Sequence, residues 1–231
     1  MMGGFARIIG VFTEPDRVMR SVAEKPAWLL PCIILLLSTL LFVAIAGDVL
    51  RDFALDQMRD KVNEMVAQGR IPAERSEQII ESQQGLVNTM LYVNPPIAVL
   101  FMRLLLTVLL LFLGNIILGG MKRFKHYWSL AFYGGMIAAL AALISGVLVR
   151  LSGDMYGAQL GLGILARNNP DSTLFKILTV FNVFTIWEAV VVGIGLAVLA
   201  NSKRSTGVVL MLIVYLGLGI ITSLLFGQSM V

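Results

Sequence analysis

Five stretches of this chain are apolar for about 20 residues each, long enough at 1.5 Å per residue to cross a hydrocarbon core of about 30 Å. They occupy residues 27–46, 97–119, 128–149, 177–200 and 208–226. Lipid offers backbone N–H and C=O groups no water, so each such stretch must satisfy its own as a helix. The charged share of 14%, against about a quarter in soluble domains, fits the same class. The expectation is an all-α integral membrane protein of five transmembrane helices in one domain spanning residues 1–231.

Two features bear on that count. Ala44-Ile45-Ala46 resembles the small-x-small cleavage site of a signal peptide, but more than twenty residues precede the apolar run, which is also longer than a signal core. A retained span is expected. Met155–Ala166 is too short to cross and is rich in glycine, so it reads as a loop, with a re-entrant segment as the alternative.

Orientation follows the cations. Arg7, Arg17, Arg20 and Lys25 precede the first span, Lys122, Arg123 and Lys125 follow the second, and Lys203 and Arg204 follow the fourth. The positive-inside rule makes that side cytoplasmic. The expected topology is N-in, C-out in a bacterial cytoplasmic membrane.

The segment 47–94 then lies outside. Leu55, Met58, Val62 and Met65 recur at three- and four-residue steps, and Ile79, Leu86, Val87, Met90 and Leu91 form a second stripe. Gly69 is placed to stop one helix and Pro72 to begin the next. An external helical hairpin is expected, its first arm continuous with the first span and Asn94-Pro95-Pro96 opening the second. Residues 1–26 read as an amphipathic cytoplasmic segment, with Phe5, Ile8, Ile9 and Phe12 on one side and Glu14-Pro15-Asp16 as a break. Such a segment would lie at the membrane surface with its cations near anionic lipid.

The inventory of reactive side chains is thin. Cys32 is the one cysteine and His126 the one histidine, so neither a thiolate metal cluster nor an acid-oriented His relay has its parts. Gly161-x-Gly163 and Gly193-x-Gly195 lack the strand and third glycine of a dinucleotide site. The expected reading has no catalytic, metal or cofactor residues and no nucleic-acid partner. Small residues spaced by four suit helix contact instead: Ala131, Gly135 and Ala139, then Ala138, Ala142 and Gly146, on the third span, and Ala189, Gly193 and Ala197 on the fourth.

Glu188 interrupts this pattern. An acid at the centre of a span costs about 3 kcal/mol on insertion scales unless it meets a partner or faces the bundle interior. Arg103 in the second span is the available cation, about 7 Å away in depth by residue count, a gap that two extended side chains can bridge. An Arg103–Glu188 tie between the second and fourth spans is expected. The alternative is a protonatable or cation-binding track that adds Asn182, Thr185 and Asn115.

The order of features also carries a resemblance. "FTEP" at Phe12–Pro15, "EKPAWLLP" at Glu24–Pro31, "NPP" at Asn94–Pro96 and "FTIWEAVVVGIGLAVLA" at Phe184–Ala200 together resemble the Yip (Ypt-interacting protein) domain family in its compact bacterial form. The resemblance covers nearly the whole chain and implies five spans with the N-terminus inside. Eukaryotic members associate with Rab-type GTPases and with one another in vesicle traffic and membrane shaping, but their Asp-Leu-x-Gly-Pro element is missing here. The family brings no catalytic residues; Lys25, Pro26, Trp28, Pro31 and Trp187 match its recurrent positions. Physically, Pro26 suits the first turn of a helix, Lys25 and Trp28 would anchor that end at the interface, and Pro31 would kink the span or mark a later start. The expected function is a non-enzymatic membrane scaffold or adaptor acting through membrane lipids, a membrane-protein partner or self-association. A small-solute, ion or lipid transporter built around Glu188 is the alternative.

Overall fold

Each helix begins and ends where the local sequence allows it. The computed structural model describes residues 2–155, 160–166, 168–170 and 172–226. Helices α1 (Gly4–Thr13) and α2 (Pro15–Glu24) split at Glu14, because Pro15 takes the first helical position, where its missing N–H breaks no bond. Helix α3 (Leu29–Ala67) runs 39 residues, about 58 Å, so the first span and the amphipathic arm after it are one rod. The chain reverses at Gly69, whose φ of +70° is open to glycine without a Cβ penalty. After Pro72 come a 3₁₀ turn, Ala73–Arg75, and α4 (Ser76–Leu111), which passes into a π-helical turn at Phe112–Ile117.

Helix α5 (Phe124–Ser152) ends at Gly153 in the left-handed conformation. Helices α6 (Thr173–Val180), α7 (Val183–Ala200) and α8 (Arg204–Phe226) follow in the described residues. Among the described residues five helices, α3, α4, α5, α7 and α8, are long and apolar enough to cross a membrane, in α4 together with the turns at its two ends.

Three sequence expectations are corrected. First, Pro95 and Pro96 lie inside α4 instead of in the first turn of a new helix. They deprive the carbonyls of Leu91 and Tyr92 of their helical donors, and the helix tolerates this beside a half-exposed Tyr92. Second, the fourth span does not run unbroken from 177 to 200. It breaks at Phe181, because the Asn182 side chain accepts the Phe184 N–H at 2.8 Å and caps α7. Leu162 N–H closes the break on the Phe181 carbonyl at 3.1 Å. Within Met155–Ala166, the described Leu162–Ala166 is a 3₁₀ segment, and residues 156–159 lie outside the described residues.

Third, the N-terminal helices do not simply rest on a surface. Val11, Val18, Met19 and Val22 are buried in the common core, and Arg7 is only 4% exposed. Its guanidinium donates to the Lys25 carbonyl at 2.9 Å and the Ser21 carbonyl at 3.1 Å. A cation there meets the negative end of α2, which draws Arg7 into the bundle. Phe5 and Ile9 remain exposed while Phe12 packs edge-on against Trp187.

The bundle is built around α5 and α7. Helix α7 packs on α8, α5 and α2, and α3 packs on α5 and α4. The apolar window of α7 is 61% buried and that of α8 only 6%, so α8 lies at the rim, open to lipid. Beyond the spans, Leu55 and Val62 of α3 are buried against the α4 arm, whereas Leu86 and Met90 face outward. An ion pair from Arg150 to Asp48 at 2.9 Å joins the ends of α5 and the first span. A Cβ at Gly47 would lie 3.7 Å from the Tyr92 hydroxyl, so Tyr92 stands at the same level.

Candidate functional site

Inward-facing small and apolar residues turn Glu188 toward the bundle interior. Its neighbours Ala189, Val192 and Gly193 on α7 are buried, and the acid itself is 7% exposed. Counted along the helices, Glu188 lies about 18 Å from Ala200 and Arg103 about 17 Å from Tyr92. Both therefore lie well inside the apolar stretches of their helices.

Arg103 Nη1 donates to Glu188 Oε1, and the two side chains are 12% and 9% exposed. The same nitrogen reaches the Ala131 carbonyl of α5 at 3.3 Å. Tyr215 of α8 donates its hydroxyl to the same Glu188 oxygen at 3.2 Å. The Thr107 hydroxyl donates to the Arg103 carbonyl at 2.7 Å. Three spans thus meet at one carboxylate oxygen, and the Arg103 guanidinium links a fourth, α5, to the junction.

Gly135 makes room for this arrangement. A Cβ there would lie 3.0 Å from Arg103 Cζ and 3.1 Å from Leu35 Cδ2, so its absence admits a guanidinium instead of a helix backbone. Gly193 does serve helix contact. A Cβ on it would fall 2.6 Å from Val208 Cα and 2.7 Å from the Gly207 carbonyl. Ala189, Ala197 and Ala139 are buried along the same central helices.

The wider polar track is not assembled around Glu188. Asn182 is spent on capping α7. Asn115 lies at the other end of α4, where its amide donates to the Lys122 carbonyl at 2.9 Å and accepts from the Tyr127 hydroxyl at 2.6 Å; it clamps the turn before α5. Thr185 is half-buried one turn before Glu188. Tyr215 is the member that sequence reasoning missed. The available signal was a phenol in the middle of the last apolar window, where a buried hydroxyl needs a partner.

The residues near the first span take structural positions. Pro26 lies in the non-helical link between α2 and α3 rather than in a helical turn, and Pro31 sits buried in the first turn of α3, which is the later start. Trp28 packs on Trp128 and Phe132. Lys25 supplies the carbonyl that Arg7 holds. Trp187 lies between Phe12 and Phe184.

Chemically, the site holds one buried carboxylate neutralised by one guanidinium. Among the described residues no three His, Cys, Asp or Glu side chains come together. Removing either partner leaves an uncompensated charge in an apolar setting, which costs far more than the intact pair contributes.

Comparison with known proteins bears on the whole chain. Residues 9–225 match the family described as Yip1 domain. "Membrane protein YknW" of Bacillus subtilis is similar, 25% identical over 224 residues, which covers 95% of this chain and 89% of that protein. No solved structure matches.

Proposed function

This chain belongs to the Yip1 domain family of membrane proteins, and from that premise we propose that it is a non-enzymatic scaffold or adaptor of the bacterial cytoplasmic membrane. It works through protein and lipid contacts, with the N-terminus and the basic turns inside and the α3–α4 hairpin outside. The observation that supports this reading is the Arg103–Glu188–Tyr215 junction. Its buried acid is held by donors from two spans, as in a strut that fixes the angles between helices, leaving surfaces rather than an interior path to do the work. The hairpin arm, with Leu86 and Met90 facing outward, offers such a surface.

A second reading as a small-solute, ion or lipid transporter draws on the break at Phe181. Discontinuous helices line substrate sites in many transporters. Here, however, the freed backbone at the break is bonded by Asn182 and Leu162. Photo-crosslinkers placed at Leu86 and Met90 in cells, with mass spectrometry of the products, test the scaffold reading. A stoichiometric membrane-protein partner or second copy is expected. Crosslinks to lipid alone, together with solute flux in liposomes that E188Q abolishes, would replace the scaffold with transport.

A further inference from the structure

At the basic end of the bundle, α2 crosses the turn between α7 and α8, and the two leave a cleft lined by Asp16, Arg20, Asn201, Ser202 and Arg204 beside apolar residues of α7. Two cations face one anion, so the lining is net positive. Arg20 holds Asp16 through Nε at 2.8 Å, which leaves its two terminal nitrogens open toward another acceptor. Among the described residues no carboxylate pairs with Arg204. The Ser202 hydroxyl oxygen is buried and has no hydrogen-bond partner, although buried polar atoms in folded proteins are nearly always bonded.

Two guanidinium groups lining one cleft match the oxygens of a phosphate. We propose that this cleft binds a phosphate group, and that its source is the headgroup of an anionic phospholipid. The cleft opens beside α8, the span most exposed to lipid, and at the helix ends where headgroups lie. Asn201, in the left-handed conformation at φ 54°, folds the chain back so that Ser202 and Arg204 reach the same cleft as Arg20. This deepens the lipid-contact part of the proposed function. Its test reads lipid retention, whereas that function is tested by protein crosslinks, so the two can fail separately.

The experiment is native mass spectrometry of the full chain released from nanodiscs containing phosphatidylglycerol or phosphatidylcholine, with a parallel titration of inorganic phosphate. The unsubstituted protein is expected to retain phosphatidylglycerol, and R20Q and R204Q each to weaken retention about tenfold, the scale of a charge-assisted bond. K203Q removes the same charge from the next residue, which does not line the cleft, and should stay within about twofold on the same scale. All three sites are exposed, so the variants fold. Equal losses in K203Q and R204Q would overturn the proposal in favour of diffuse surface attraction. Inorganic phosphate bound and lost in R204Q, with no lipid retained, would uphold the cleft and overturn the lipid source. Retention of neither would overturn both.

Discussion

Replacing Glu188 by glutamine keeps the shape of the side chain and an oxygen for Arg103 and Tyr215 to approach, but removes the charge. Arg103, with a side chain 12% exposed, is then a cation in an apolar bundle with no anion. Truncating one member of a buried pair costs about 3–5 kcal/mol. The amide oxygen still accepts, so the lower end applies, about 3 kcal/mol. At about 2–4 °C per kcal/mol for a chain of this size, the thermal midpoint falls by roughly 6–12 °C. Replacing both partners with apolar residues, R103M with E188L, removes the charge and its need together, and such exchanges are often neutral. The double variant should therefore recover to within about 1 kcal/mol of the unsubstituted protein. Fluorescence-detected size-exclusion chromatography after heating in one detergent measures the series. If E188Q leaves the midpoint unchanged, or the double variant melts no higher than the worse single one, the pair does not tie the spans.

Further predictions follow from the packing and the caps. Gly193→Ala should lower the midpoint by an amount equal to about 1–3 kcal/mol, because the added Cβ meets backbone of α8 that cannot rotate away. Asn182→Ala should cost about 1 kcal/mol through loss of the α7 cap, read in the same assay. Exchanging Asp48 for Asn, which breaks an exposed pair with Arg150, should change stability by less than about 1 kcal/mol; a larger loss would show that this pair is more than a surface contact.

Much of the architecture was legible because lipid leaves few choices. Apolar runs of span length become helices, and a lone intramembrane acid sends one looking for a cation, which pointed to Arg103. Periodicity also foretold that α3 continues past the first span, since Leu55 and Val62 keep its stripe. Other features depended on competition that composition does not reveal. Asn182 sits in an apolar run yet caps a helix, since its short side chain prefers the backbone N–H two residues on to a place in a span. Pro95 and Pro96 looked like a start because proline suits the first turn of a helix, but a helix already in progress absorbs them where its carbonyls can be met otherwise. Arg7 looked like a surface cation until tertiary packing placed the C-terminal carbonyls of α2 beside it. Tyr215 needed a third dimension, since it completes a junction drawn from helices far apart in sequence.

The most direct measurement is the water access of position 188. A cysteine placed there with R103M, in a chain whose own buried Cys32 is replaced by alanine, can be challenged with a membrane-impermeant maleimide from each side of a sealed vesicle. A dry strut predicts no labelling from either side until the protein is denatured. Labelling of the folded protein from one side or both would place Glu188 on a water path, and the scaffold account would give way to transport.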